Sequence, residues 1–134
     1  MSDPVILYVE DDPLSRVVME VLLTRVMGYR HITIFEDGTD FMNRLKALPS
    51  RPDVIFLDIH MEPVDGFAVL HLIRQDEAFR STRVVALTAS VMNEEVKRLK
   101  DAGFNGVIAK PLDADAFPRT LHRILSGEQV WNVK

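Results

Sequence analysis

The chain has 134 residues, of which 47% are apolar, and 20 acidic side chains outnumber 16 basic ones to give a net charge of −4. This length predicts a single domain with its own hydrophobic core, and the acidic balance argues against direct binding to nucleic acid or membranes. The chain has no cysteine, which excludes disulfides, zinc–thiolate sites and thiol catalysis. Its N-terminal apolar run, Val5–Val9, is too short for a signal peptide or a membrane span. Composition therefore predicts a soluble, cytoplasmic domain.

Five short apolar runs predict strands that are buried on both faces, because none of them alternates cleanly with polar residues. They cover residues 5–9, 32–35, 54–57, 84–87 and 107–109. Apolar residues at helical spacing predict helices over residues 15–27, 39–48, 67–74, 92–102 and 114–125. Five strand–helix repeats predict an α/β fold, a three-layer, doubly wound, five-stranded parallel sheet with flavodoxin-like (βα)5 topology and strand order 2-1-3-4-5.

The predicted domain covers residues 1–126, and residues 127–134 form a C-terminal tail. The tail is interpreted as a short helix extension, a linker stub or a frayed end. Trp131 within it is expected to be a surface or packing residue.

Polar side chains lie at the carboxyl ends of four predicted strands, where doubly wound sheets bind their ligands. They are Glu10, Asp11 and Asp12 after the first strand, Asp58 after the third, Thr88 and Ala89 after the fourth, and Lys110 and Pro111 after the fifth. Asp12 precedes Pro13, which favours a helix N-cap at Asp12 and leaves Glu10 and Asp11 as the metal candidates.

This set of side chains suits one kind of chemistry. Clustered carboxylates repel each other until a divalent cation relieves the repulsion, and Mg2+ often shares such a site with phosphate oxygens. A lysine can neutralise a phosphoryl group as a point charge, and a carboxylate facing that group can be its nucleophile. Each residue alone could be a turn residue or a solvated side chain, but their joint occurrence at four strand ends predicts Mg2+-assisted phosphoryl transfer onto an aspartate.

At these residues the sequence resembles the receiver domain of two-component response regulators. The resemblance spans residues 5–125 and rests on four motifs in order: VEDDP, FLDIHMEPVDG, ALTAS and IAKPLD. The chain looks like the single-domain, chemotaxis-type receivers, since no output domain follows. Met1 and the short end favour a complete small protein, so the output is expected to be another protein.

The resemblance implies the roles of the acidic residues. Asp58 would be the phosphoacceptor and a metal ligand. Asp11 would bind Mg2+ directly, Glu10 would bind it through water, and the backbone carbonyl of His60 would complete the protein ligands. Mn2+ is expected to substitute for Mg2+.

The resemblance also implies the phosphoryl-binding residues. Thr88 would bond a phosphoryl oxygen and move toward it on activation, the backbone N–H of Ala89 would assist, and Lys110 would pair with the phosphoryl group. Pro111 would follow a cis peptide bond that holds the lysine's loop. Asp65 and Gly66 match the family's turn into the third helix.

Four further positions affect the switch and the phosphoryl lifetime. Glu62 stands where the family usually has proline, and Pro63 comes one residue later. Val107 replaces the usual aromatic switch residue, so coupling between Thr88 and a ring is not expected. His60 and Ser90 lie two residues after Asp58 and Thr88, where family members adjust the dephosphorylation rate.

The function implied is signalling rather than classical enzyme activity, with slow self-catalysed loss of the phosphoryl group. The phosphodonor would be a histidine kinase or a histidine phosphotransfer protein. A downstream protein of unknown identity would bind helix 4, strand 5 and helix 5, where Lys97, Arg98 and Lys100 place positive charge or simply form a solvated face.

Three alternatives are less well supported by the residues. A degenerate receiver that only binds partners would not need all five site side chains. A haloacid-dehalogenase-type phosphatase needs an Asp-x-Asp nucleophile after the first strand, where this chain has Glu10, Asp11 and Asp12 in a row. A flavodoxin-like FMN carrier needs a phosphate loop there, and three carboxylates would repel the phosphate.

Overall fold

The computed structural model describes residues 3–131, which form one parallel sheet with helices on both faces. The strands are β1 (Val5–Val9), β2 (His31–Phe35), β3 (Val54–Asp58), β4 (Arg83–Thr88) and β5 (Val107–Ala109). The helices are α1 (Pro13–Val21), α2 (Phe41–Lys46), α3 (Gly66–Gln75), α4 (Asn93–Ala102) and α5 (Phe117–Leu125). The strand order is β2-β1-β3-β4-β5 with every pairing parallel, so the predicted fold class is confirmed.

The sheet separates two hydrophobic clusters. Leu7 and Val9 of β1 point toward α2, α3 and α4, into a cluster that we call the α2–α3–α4 core. Ile6 and Tyr8 of the same strand point toward α1 and α5, into the α1–α5 core. Because side chains alternate between the two faces of a strand and both faces are covered, each strand is mainly apolar, and its polar residues lie mostly at its ends.

Two helices match the predicted bounds to within one residue at each end, and the other three differ by more, for local reasons. The first helix starts two residues earlier, at Pro13, and its last turn, Leu22–Val26, is a π-helix. The second starts later because Asp37 accepts hydrogen bonds from the backbone N–H and hydroxyl of Thr39 in a turn. The fifth starts later because the Asp113 carboxylate accepts hydrogen bonds from the backbone N–H groups of Asp115 and Ala116 in a similar turn.

The described part of the tail is packed against the sheet. Val130 forms an isolated parallel bridge with Gly106 beside β5 and is 3% exposed. Trp131 packs against the α2–α3–α4 core, which agrees with its expected packing role. The segment up to Trp131 is therefore neither a helix extension nor a frayed end, because its backbone bonds to the sheet edge. Residues 132–134 of the predicted tail lie outside the described residues, as do residues 1–2.

None of the described helices is long and apolar enough to cross a bilayer.

Candidate functional site

Three carboxylates converge at the carboxyl edge of the sheet. Glu10 and Asp11 follow β1, and Asp58 ends β3, which pairs directly with β1. One ligand oxygen from each of the three lies within 4.8 Å of the other two. Glu10 is fully buried, Asp58 is 4% exposed, and Asp11 is exposed. Oxygen atoms from three carboxylates at this spacing are a donor set that suits a hard divalent cation.

The ionised form of the Asp58 carboxyl group is disfavoured when no cation is bound beside it. Burial raises its pKa from the ordinary 3.8 to about 7, with the neighbouring Glu10 adding to the effect. Lys110 and the backbone N–H of His60 act in the opposite direction but do not cancel it. A cation bound beside Asp58 would favour its ionised form, because opposite charge lowers a carboxyl pKa.

Glu10 carries its charge in the buried interior because its neighbours donate to it. The Tyr8 hydroxyl donates to Oε1 at 2.6 Å, the Lys110 ammonium donates to the same oxygen at 2.9 Å, and the Asp12 N–H reaches Oε2 at 3.3 Å. Burial alone would raise the pKa of Glu10, but hydrogen bonding with Asp58, Tyr8 and Lys110 outweighs it and lowers the pKa. Oε2 is therefore the less committed oxygen and the one better suited to face a cation or its water.

Tyr8 contacts the carboxylate cluster and was not predicted from the sequence. Its ring is 1% exposed in the α1–α5 core, and only its hydroxyl reaches the site. Burial and the bond to Glu10 raise the pKa of Tyr8, so it stays a neutral donor. The available signal was its position two residues before Glu10, which directly follows β1, because residues i and i+2 of an extended chain point to one face.

Lys110 brings the positive charge into the cluster. Its Nζ lies 2.9 Å from Glu10 Oε1 and 3.5 Å from Asp58 Oδ1. Burial would lower its pKa, but the two carboxylates outweigh burial and raise it. The Lys110 N–H donates to the carbonyl of Thr88 at 2.9 Å, and the Lys110–Pro111 peptide is cis. The fifth strand end is thereby tied to the fourth.

Thr88 ends β4 at the same edge and is fully buried. Its Oγ1 accepts a hydrogen bond from the N–H of Ser90 at 3.1 Å, which leaves the hydroxyl proton available to another acceptor. Ala89, between the two, is exposed. The order of the four strand ends along the sheet edge thus matches the prediction.

The loop after Asp58 is held close to the site. The Asp65 carboxylate accepts from the Ala68 N–H at 2.9 Å and caps α3. Gly66 begins that helix, and a Cβ there would lie 2.7 Å from the carbonyl oxygen of Asp58. Only glycine therefore permits α3 to begin this close to β3. His60 and Glu62, in the loop between them, are exposed.

Asp12 and Val107 have structural roles. Asp12 accepts hydrogen bonds from the N–H and hydroxyl of Ser15 at 2.8 and 2.7 Å and is the N-cap of α1, as predicted. Val107, at the usual aromatic position, is fully buried in the α2–α3–α4 core. The nearby Phe104 is 3% exposed and packs edge-on against Phe67 of α3.

Comparison with known proteins agrees with this arrangement. The model of the response regulator receiver domain matches residues 6–122, and the chain belongs to this family. The osmosensing histidine protein kinase SLN1 of Saccharomyces cerevisiae is 33% identical over 110 residues, which are 80% of this chain but 9% of that protein. The probable methanogenesis regulatory protein FilR2 of Methanothrix harundinacea is 29% identical over 136 residues, 98% of this chain and 88% of that protein.

Solved structures give the same result. The receiver domain of the sensor histidine kinase PA1611 from Pseudomonas aeruginosa PAO1 matches with a TM-score of 0.79 and 30% identity, covering 94% of this chain and all of that one. That structure has a magnesium ion coordinated in its active site cleft. The chemotaxis response regulator CheY4 of Vibrio cholerae matches with a TM-score of 0.80 and 26% identity, over 92% and 99% of the two chains. The chain spans only 9% to 13% of the first kinases it matches in sequence, whereas it corresponds to whole receiver-domain structures.

Proposed function

We propose that this domain accepts a phosphoryl group on Asp58 in a two-component phosphorelay. The donor would be a phosphohistidine on a histidine kinase or a histidine phosphotransfer protein, and the cofactor would be Mg2+, with Mn2+ as a substitute. The observation that carries the proposal is the convergence of Glu10, Asp11 and Asp58 within 4.8 Å, with Lys110 on the same cluster. Three carboxylates suit a divalent cation and a lysine suits a phosphoryl group, so the combination fits a site that holds both groups better than a site for only one of them.

The proposed transfer breaks the phosphorus–nitrogen bond of the donor and forms a phosphorus–oxygen bond to the Asp58 carboxylate. Mg2+ held by Glu10 through water, by Asp11, by Asp58 and by the carbonyl of His60 would neutralise charge on the phosphoryl oxygens. Lys110 would pair with a second phosphoryl oxygen, which is supported by the 3.5 Å distance between its ammonium and Asp58 Oδ1.

Two groups at the carboxyl end of β4 are proposed to complete phosphoryl binding. Thr88 would donate its hydroxyl proton to a phosphoryl oxygen, because its Oγ1 already accepts from the Ser90 N–H and retains that proton. The exposed Ala89 has a small side chain that leaves its backbone N–H accessible. We propose that His60 and Ser90 set the rate at which water removes the phosphoryl group, and that Pro111 positions Lys110.

The phosphoacceptor role is tested with acetyl phosphate, a donor that needs no protein contact. We expect intact-mass measurement to show one added phosphoryl group on the wild-type chain with Mg2+ and none with a chelator. Asp58→Asn removes the nucleophile with little change in size, so it should give no adduct. A wild-type chain that gains no Mg2+-dependent adduct would instead be a degenerate receiver that acts only by binding partners.

We also propose that the phosphodonor protein docks on α1. Leu14 is 71% exposed, and Val17 and Val21 on the same helix are 56% and 41% exposed. Leu14 also lines a cavity of about 110 Å3 that extends to Lys110 and Pro111, so the apolar surface is continuous with the site. A donor histidine that reaches Asp58 from this side would cover these side chains, which is the reason for assigning this surface to the donor.

The docking surface is tested by comparing a protein donor with a small one. Leu14→Asp should slow transfer from a phosphohistidine-bearing phosphotransfer protein at least tenfold, and leave the rate with acetyl phosphate unchanged. Val26→Asp is the matched control, since Val26 is 59% exposed but lies in the π-helical turn at the far end of the helix. Equal losses with both donors, or equal losses in both variants, would contradict the assignment.

The remaining parts of the proposal concern the setting of the domain. We propose a cytoplasmic location, which suits a chain without cysteine, and an output through a downstream protein rather than through nucleic acid or membrane. Phosphorylation would act by shifting the balance between two conformations of the domain.

A further inference from the structure

The outer edge of β5 is occupied by the chain's own C-terminal segment. The Val107 N–H donates to the carbonyl of Val130 at 2.8 Å, and Val130 bridges Gly106 in parallel. Helix α5 connects β5 to this segment, so the segment returns beside β5 as the next strand of a βαβ unit would. We call residues 128–131 the edge segment.

Side chains of the edge segment contact both layers of the domain. Val130 enters the α1–α5 core and is 3% exposed, whereas Trp131 packs on the α2–α3–α4 core. The ammonium of Lys100 on α4 lies 5.2 Å from the centre of the Trp131 ring, within the range of a cation–π contact. Successive side chains on opposite faces are the pattern of a strand.

Gly106 makes this close approach possible. A Cβ at position 106 would lie 2.8 Å from the carbonyl oxygen and 3.2 Å from the nitrogen of Val130. Both contacts are with backbone, which cannot rotate away as a side chain can. The backbone of the edge segment is therefore in contact with β5 only because residue 106 has no side chain.

We propose that the edge segment is a masking strand, so that a protein partner can use the edge of β5 only after this segment is displaced. The unpaired edge of a sheet is a ready template for another extended chain, and here the intramolecular segment fills it. The consequence for signalling rests on the proposed function, since the partner would be the downstream protein. The masking itself does not depend on phosphorylation.

The first test removes the segment from β5 without altering the segment. Gly106→Ala should make the Val107 amide exchange with deuterium at least tenfold faster, while the Ala86 amide, which donates to the Gly106 carbonyl at 3.0 Å, stays protected. Trp131 is the only tryptophan, so its fluorescence should become more accessible to acrylamide in the same variant. Glu128→Gln is the control, because the Glu128 carboxylate bonds only at the surface, to Arg123 at 3.3 Å.

A second variant acts from the other side of the contact. Val130→Asp places a charge where the α1–α5 core is apolar, and it should expose the Val107 amide and Trp131 as Gly106→Ala does. Unchanged exchange and quenching in both variants would overturn the proposal. A wild-type chain that elutes as a dimer, with Val107 protection that falls on dilution, would also overturn it, because the segment would then pair with a second copy.

The open edge is tested with a synthetic peptide that has the sequence of residues 126–131. It should shift the Val107 amide resonance of Val130→Asp and not that of the wild type, since the attached segment competes at an effective concentration on the order of millimolar. A peptide that shifts both proteins alike, or neither, would contradict masking. The acetyl phosphate adduct, measured on the same samples, reports the proposed function separately, because Asp58 is on β3, with β4 between it and the contact of Gly106 with Val130.

Discussion

Glu10 and Lys110 illustrate how single residues in this site depend on one another. Glu10 has no exposed surface, and two of its three donors, Tyr8 and Lys110, bond to the same oxygen. Lys110 is the donor that also carries a charge, and its side chain is 21% exposed. Without a cation in the site, Lys110 is thus the charge that balances a fully buried carboxylate.

We therefore predict that Lys110→Met destabilises the metal-free protein by about 3 kcal/mol, since removing one partner of a buried ion pair leaves the other uncompensated. Urea denaturation measures this loss. Mg2+ should bind the variant at least as tightly as the wild type by titration calorimetry, because a positive charge beside the acidic cluster is gone. The control is Lys46→Met, whose ammonium pairs with Asp76 at the surface at 2.9 Å and should matter little. Weaker Mg2+ binding in Lys110→Met would contradict this account of the lysine.

At the scale of residues, sequence reasoning found the strand-end side chains but not all of their contacts. Glu10, Asp58, Thr88 and Lys110 could be placed because parallel strands bring their carboxyl ends to one edge. Tyr8 was missed: alternation along an extended chain puts its side chain on the same face as that of Glu10, but it does not show that the hydroxyl of a buried ring reaches the carboxylate. Glu10 is fully buried whereas the adjacent Asp11 is exposed. This difference depends on tertiary packing, which the order of residues along the chain does not show.

At the scale of elements, two adjacent aspartates have different roles. Asp12 is the N-cap of α1, whereas Asp11 is exposed and contributes to the carboxylate cluster.

We predict that Asp12→Ala lowers the melting temperature by about 2 to 5 °C through loss of the cap, with Mg2+ affinity nearly unchanged. Asp11→Ala should weaken Mg2+ binding at least tenfold and leave the melting temperature of the metal-free protein the same or higher. Thermal unfolding and calorimetry on both variants decide between these roles, and identical behaviour of the two would refute the distinction.

Strands were predictable to within one residue at each end because burial on both faces gives an unbroken apolar run. Helix ends were less predictable, because turns at Asp37 and Asp113 compete with the first helical hydrogen bonds.

The contacts of Arg74 were also not predictable from the sequence. Helical periodicity treats it as a surface residue, yet its guanidinium donates to the carbonyls of Arg80, Thr82 and Gly103 and to the side chain of Asn105. Such contacts between distant loops are not visible from local pattern.

At the scale of the whole molecule, the raised pKa of Asp58 links stability to pH. Since this pKa is about 7 in the folded protein against an ordinary 3.8, the folded state binds more protons than the unfolded state between these values. The free energy of unfolding of the metal-free protein should therefore fall as pH rises toward about 7. Glu10, whose pKa is lowered from 4.5, gives the opposite slope only at more acidic pH.

We predict that the metal-free wild type loses about 2 kcal/mol more than Asp58→Asn between about pH 5 and pH 8, since one pKa unit corresponds to about 1.4 kcal/mol. Saturating Mg2+ should remove most of this loss in the wild type, because the cation favours the ionised carboxylate. Urea denaturation across this pH range, with and without Mg2+, gives the comparison. Parallel curves for wild type and Asp58→Asn would show that Asp58 does not titrate in this range.

The two hydrophobic clusters on opposite faces of the sheet have a consequence for engineering the domain. The strand-end side chains Glu10, Asp58, Thr88 and Lys110 lie at the carboxyl edge of the sheet, whereas α1 and α5 lie on one face and α3 and α4 on the other. Since distant substitutions without shared partners are nearly additive in their effect on stability, libraries that vary one layer can be selected separately and then recombined with libraries of the other. The proposed donor surface on α1 could in this way be changed without repacking the helices around Phe104, and the sheet between the layers would serve as the constant part of both designs.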